Sequence, residues 1–70
     1  MVDDGKIEEC ILDFIRDAPI RGEIATRENA IFHVTGRLNI LPSTVARVFK
    51  AMVAAGRIKH ISGDRIMMPE

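Results

Sequence analysis

The fold is decided by residues 38–47, which read Leu38-Asn39-Ile40-Leu41-Pro42-Ser43-Thr44-Val45-Ala46-Arg47. Asn39 is one of the few residue types that accept a positive φ, so it suits the end of one helix. Pro42 suits the start of the next helix, because its missing N–H is no loss at the first helical position. Leu41 has no side-chain oxygen, so this next helix starts without the usual cap. The stretch therefore predicts a tight turn between two helices.

The helix after this turn, predicted over about residues 42–55, has two chemically different sides. At about 100° per residue, its large apolar residues fall on one side and its polar residues on the other. The apolar set is Val45, Val48, Phe49, Met52 and Val53. The opposite stripe is Ser43, Arg47, Lys50 and Ala54, with Thr44 and Ala51 beside it. A helix that buries one side and offers hydroxyls and two cations on the other has the chemistry needed to enter a DNA major groove.

Two further helices are predicted before the turn. Asp3 is a good N-cap, and a helix over about residues 4–17 follows from the i, i+3, i+4 spacing of its apolar residues, which are Ile7, Cys10, Ile11, Phe14 and Ile15. Residues 19–22 end this helix, and residues 23–25 are a candidate for a short strand. Thr26 then caps a helix over about residues 27–38. Its inward side is expected to hold Ala30 or Ile31, Val34, Thr35 and Leu38.

The end of the chain, residues 57–68, is predicted to form a β-hairpin. Short strands at 57–61 and 65–68 flank a loop of turn composition, Ser62-Gly63-Asp64. Ile66, Met67 and Met68 are expected to be core residues of the second strand. A dimer seam or a contact surface for a protein partner are the alternatives for the two methionines.

Three motifs in order resemble the second half of a winged helix-turn-helix domain, as in regulators of the multiple-antibiotic-resistance-regulator family. These are the turn at residues 38–40, the run Ser43-Thr44-Val45-Ala46-Arg47 and the exit Ala55-Gly56-Arg57-Ile58. Asn39 stands where the pattern usually has Gly, and Leu41 where it usually has a Ser or Asp cap. The resemblance implies an α+β fold with three helices followed by a two-stranded β-hairpin wing, in a single domain over residues 1–70. It also implies a small transcription regulator that binds double-stranded DNA, usually as a homodimer on a palindromic site.

In that arrangement the third helix enters the major groove from its start near Pro42. Arg47 would read a guanine edge, and Ser43 and Thr44 would bond phosphates or base edges. Lys50 would meet a phosphate, and three cations outside the helix would also contact the DNA: the first two would meet phosphates, and the third would reach a minor groove or the flanking backbone. These three are Arg37, Lys59 and Arg65. The alternative for Arg47 and Lys50 is an exposed helix face in solvent, which the neighbouring turn and hairpin make the less favoured interpretation. For Lys59 the alternative is an ordinary outward strand position. For Ser43 and Thr44 a simple role at the helix start is as well supported as DNA contact.

The charges separate along the chain, although ten cations balance ten acids. Residues 1–36 hold four cations against eight acids, and residues 37–65 hold six cations against one acid. The cations thus lie in the half expected to meet DNA. The zero net charge and the acidic first half also favour an alternative, a winged-helix adaptor or inhibitor that docks on a protein and does not bind DNA specifically.

Other functions find little support in the sequence. Cys10, His33 and His60 are far apart and lack metal-ligand spacing, so no metal or other cofactor is expected, and Cys10 is expected to be a buried thiol. No pattern points to an enzyme. No apolar run reaches the roughly 20 residues of a membrane span, and no signal peptide is expected because acids follow Met1. A cytoplasmic location is the expectation for a chain with one cysteine.

Overall fold

The structure, a computed structural model, describes residues 2–61 and 63–69. It has three α-helices followed by a two-stranded antiparallel hairpin, which confirms the predicted α+β layout. The elements are α1 (Asp4–Asp17), α2 (Arg27–Leu38), α3 (Pro42–Ala54), β1 (Lys59–Ile61) and β2 (Arg65–Met67).

The helix starts and the turn between α2 and α3 follow the local chemistry of the sequence. The Asp3 carboxylate accepts a bond of 2.9 Å from the backbone N–H of Lys6, and the Thr26 hydroxyl accepts one of 3.1 Å from the N–H of Asn29. Asn39 ends α2 in the left-handed conformation, with φ 55°. Leu41 makes no side-chain cap bond, and α3 begins at Pro42 as predicted. The turn therefore fixes the direction in which α3 leaves α2.

The core lies where the three helices meet the hairpin. Every α-helix contributes residues that are almost completely buried, such as Ile11, Val34 and Val45. Ile58 and Ile66 close the core from the hairpin side. The inward side predicted for α2 is correct for Ala30 and Val34, which are fully buried, while Ile31, Thr35 and Leu38 are half-buried.

The prediction that Met67 and Met68 belong to the core is wrong. Met67 is 36% exposed and Met68 is 37% exposed, whereas Ile66 is 4% exposed. Successive residues of a strand point to opposite faces, so placing Ile66 inward turns Met67 outward. Met68 follows the last residue of β2.

The hairpin is shorter than predicted. Its strands pair in the register Lys59 with Met67, His60 with Ile66, and Ile61 with Arg65. Arg57 and Ile58 lie before β1, because Gly56, at φ 76°, turns the chain and the Arg57 N–H bonds the Met52 carbonyl at the end of α3. Ser62 of the predicted loop lies outside the described residues.

The candidate strand at residues 23–25 is not a strand; a single bridge forms one residue later, between Thr26 and Arg65. Two backbone bonds flank it, from the Ile66 N–H to the Ala25 carbonyl and from the Arg27 N–H to the Asp64 carbonyl, each 3.0 Å. The pairing stops there because Thr26 is already the N-cap of α2. These contacts fasten the hairpin to the start of α2.

Candidate nucleic-acid interface

The outward face of α3 is open to solvent. Ser43, Arg47 and Lys50 are exposed and Thr44 is half-buried, while Pro42 is exposed at the first position of the helix. The other side of α3 is buried against the core through Val45, Val48, Phe49 and Met52. The amphipathic helix predicted from the sequence therefore presents its polar stripe at the surface.

Beside this stripe lies a cleft of about 460 Å³ between α3, the start of α2 and β1. Three permanent cations, Arg27, Arg47 and Lys50, line it, and His60 joins them from β1. The remaining lining residues are Ala46, Phe49, Val53 and Ala54, so none of the described residues that line the cleft is acidic. Two carboxylates reach these side chains from outside the lining, Asp4 at Arg47 and Asp64 at His60. The three cations that line the cleft still outnumber them, and this concentration of positive charge attracts anions such as phosphates.

The floor of the cleft is aromatic. The Arg27 guanidinium carbon lies 5.9 Å from the centre of the Phe49 ring, a distance at which the ring attracts a cation. The His60 ring meets Phe49 edge-on, with centroids 6.5 Å apart. His60 also lies 3.6 Å from a carboxylate oxygen of Asp64, across the hairpin. Phe49 therefore lies beside two of the side chains that line the cleft, Arg27 and His60.

Two ion pairs connect α1 to the basic part of the molecule. A guanidinium nitrogen of Arg47 lies 3.2 Å from a carboxylate oxygen of Asp4, and Arg57 pairs with Glu8. Asp4 and Glu8 are one helical turn apart on α1. Both side chains of the Arg47–Asp4 pair are exposed, whereas Glu8 of the other pair is half-buried. Exposed pairs contribute roughly 0–1 kcal/mol. Arg47 can leave Asp4 at little cost.

The structure brings five of the eight predicted site residues together and leaves three elsewhere. Pro42, Ser43, Thr44, Arg47 and Lys50 share α3. Arg37 lines a separate concavity between α1 and α2. Lys59 and Arg65 are exposed and alternate with His60 and Ile66 along their strands, so they lie on the hairpin face turned away from the cleft.

Sequence reasoning missed two residues of the cleft, Arg27 and His60. Arg27 is the first residue of α2, directly after the Thr26 cap, and that position was the available signal. Cations near a helix start are unfavourable for the helix dipole, which makes an arginine there a candidate for a role outside the helix. His60 had no signal in the sequence, because its distance from Phe49 depends on how the hairpin packs.

Cys10 is a buried free thiol, as predicted. Burial raises its pKa, and the nearby Asp13 and Glu9 charges act in the same direction, while the Arg37 charge opposes them. A neutral thiol is a poor nucleophile and a poor metal ligand. Among residues 2–61 and 63–69, no group of three or more His, Cys, Asp or Glu side chains is arranged to hold a metal ion.

Comparison with known proteins identifies no relative. No family model matches the chain, and no match was found among curated proteins or solved structures. Within the described residues, no helix combines the length and apolar character needed to cross a membrane. The function is therefore inferred from the shape and charge of the molecule's own surface.

Proposed function

We propose that this chain is a winged-helix protein that binds double-stranded DNA as a small transcription regulator. In this proposal α3 enters the major groove and the hairpin, as the wing, contacts the flanking backbone. The observation that carries the proposal is the cleft lined by the three cations Arg27, Arg47 and Lys50 beside the exposed stripe of α3. Phosphate recognition needs such a concentration of cations, and base recognition needs an exposed helix face next to it.

The roles of the cleft residues follow from their positions. Arg47 lies in the second turn of α3 and has the planar donor pair that matches a guanine edge. Lys50, about one turn further along, carries a compact charge that suits a phosphate. Arg27 lies across the cleft on α2 and would hold the backbone on the other side. Binding would transfer the Arg47 guanidinium from the Asp4 carboxylate to the DNA.

The test is a fluorescence-anisotropy titration of duplexes selected from a random pool, repeated over a salt series. The unmodified chain is expected to bind the selected duplexes more weakly as salt rises, with a linear dependence of log K on log salt. Arg47→Ala should reduce the preference for the selected sequence, whereas Lys50→Ala should weaken all duplexes and reduce the salt slope by about one.

Lys6→Ala is the matched control, because Lys6 is an exposed cation on the acidic helix α1. It should leave both the sequence preference and the salt slope nearly unchanged. Equal weakening of every duplex by Arg47→Ala and Lys50→Ala would reject the assigned roles. No binding at low salt would reject DNA binding itself.

A second function, docking on a basic protein, is favoured by the surface of α1. Asp4 and Glu8 on that helix already hold two arginines of this chain, and Asp3 and Glu9 beside them are exposed. An arginine-rich partner segment would find the same carboxylates. In that case the DNA titration would show no binding, while Glu9→Lys would weaken capture of an arginine-rich peptide.

A further inference from the structure

The outer face of α2 exposes a large aromatic residue that has no role in the cleft. Phe32 is 82% exposed, although fully apolar residues of its size are usually buried. It lies on the side of α2 opposite Ala30 and Val34, which face the core. Beneath it is an open concavity of about 520 Å³ that also includes Phe14, His33 and Gly36. The Phe14 and His33 rings, 4.9 Å between centroids, form an aromatic floor.

Gly36 lies one helical turn after Phe32, on the same face. Glycine is unfavourable inside a helix, and the left-handed conformation that would justify it is absent here, since Gly36 is not among the described residues with a positive φ. A Cβ built on Gly36 would meet no heavy atom within 4 Å. No packing within the described chain therefore needs a glycine at this position. The face combines a protruding ring with a gap one turn away.

A helix face with a protruding ring and a gap one turn apart is complementary in shape to the same face of a second copy. If two copies of α2 cross in antiparallel fashion about a two-fold axis, the Phe32 ring of each copy lies over the Gly36 backbone of the other. Such an interface is isologous, because the same patch serves on both subunits. Small residues at a helix crossing also allow the two backbones to approach closely.

The distribution of charge favours this face over the other surfaces as the binding site for a second copy. Two-fold symmetry brings like parts of a surface near each other, so the acidic surface of α1 and the basic cleft would each repel themselves. The concavity under Phe32 includes one acid and one cation, Glu23 and Arg37. Arg21 adjoins it as well, since its guanidinium lies 5.2 Å from the centre of the Phe14 ring and 3.3 Å from a carboxylate oxygen of Glu23. The concavity therefore combines both signs of charge, so a carboxylate of one copy can pair with a guanidinium of the other across the axis.

We propose that the outer face of α2, formed by Asn29, Phe32, His33 and Gly36, binds a second copy of this chain. The proposal does not depend on DNA binding, because the concavity under Phe32 and the basic cleft share no lining residue. A small domain gains from such pairing, since about 60 residues bury only some 60% of their unfolded surface.

The test is sedimentation velocity of the full chain from about 10 µM to about 1 mM, a range that covers weak association. The sedimentation coefficient should rise with concentration. Phe32→Glu should raise the dimer dissociation constant by about tenfold or more, because a charge would replace the aromatic ring that the dimer buries against the α2 backbone of the other copy. Ile20→Glu is the matched control, since Ile20 is also 82% exposed but lies outside α2, and it should leave association unchanged.

Gly36→Gln separates association from folding. The larger side chain fills the gap and should weaken the dimer, yet it should raise the thermal midpoint measured at low concentration because glutamine favours the helix. A chain that remains monomeric up to the highest concentration would overturn the proposal. So would equal effects of Phe32→Glu and Ile20→Glu, or a dimer that Gly36→Gln leaves intact.

Discussion

The surface of α1 and the surface formed by α3 and the start of α2 have opposite charge, although they belong to one small chain of zero net charge. The α1 helix exposes acids such as Asp4 and Glu9, whereas the other surface collects Arg27, Arg47 and Lys50. They meet at the pair of Asp4 with Arg47. The difference teaches that net charge says little about partners when folding separates the charges, since a partner meets the local potential of one surface.

The largest effect should come from breaking the core that both surfaces share. Ile11 on α1 is completely buried, so Ile11→Ala leaves a cavity between the helices and should cost about 2–5 kcal/mol of unfolding free energy. That is a large part of the stability of a small domain. Urea denaturation followed by circular dichroism measures it. Ile20→Ala, at an exposed position, should change the unfolding free energy by less than about 0.5 kcal/mol. Similar losses for both variants would contradict the described core.

Reversing one positive charge in the cleft should reduce the difference in charge between the cleft and α1, and with it the affinity for DNA. Lys50→Glu is expected to reduce DNA affinity by about tenfold or more near 0.1 M salt, because the proposed phosphate contact would be replaced by a repulsive charge. Anisotropy titration measures the change. Lys6→Glu makes the same reversal on α1, where it should have a much smaller effect. If the two reversals weakened binding equally, the cleft would not be the DNA surface.

The start of α3 offers a test that separates stability from charge. Leu41 is exposed and makes no cap bond, so Leu41→Ser and Leu41→Asp should each stabilise the fold by about 1 kcal/mol. Only Leu41→Asp adds a negative charge where the proposed groove contact begins, and it should weaken DNA binding several-fold. Thermal melting and anisotropy together measure both effects. Identical DNA affinities for the two variants would place the start of α3 away from the phosphates.

The smallest effect concerns the contact between the two surfaces. Asp4→Asn removes a carboxylate 3.2 Å from Arg47 and should strengthen DNA binding by about two- to fivefold, while stability changes by less than about 1 kcal/mol. A double-mutant cycle with Arg47→Ala measures the coupling between the two side chains. Asp13→Asn, further along the same helix, is the control and should have a weaker effect on binding. A loss of affinity in Asp4→Asn would show that Asp4 holds Arg47 ready for DNA.

Much of the fold could be predicted because its determinants are local. The caps at Asp3 and Thr26, the left-handed turn at Asn39 and the proline that begins α3 each depend on a few neighbouring residues. The helical period of the apolar residues supplied the rest. The first and last residues of the short strands were harder to predict, since they depend on the turn at Gly56 and on packing that involves distant residues.

The candidate site could be predicted only where it lies on one helix. The polar stripe of α3 follows from spacing within the helix, but Asp4 and Arg47 are separated by 43 residues and meet only after folding. The same limit applies to Arg27, which crosses to the cleft, and to Arg37, which lies in another concavity. The charge of a residue in the sequence does not say on which surface of the folded molecule that residue lies.

Two backbone bonds described above, Ile66 N–H to the Ala25 carbonyl and Arg27 N–H to the Asp64 carbonyl, have a dynamic consequence. Because these bonds join the hairpin to the N-terminal turn of α2, the hairpin can move away from α2 only if both bonds break and their backbone groups become exposed to water. Amide hydrogens of Arg27 and Ile66 should therefore exchange with solvent through one cooperative opening, at matching free energies. A ligand that displaces the hairpin would therefore also displace the start of α2.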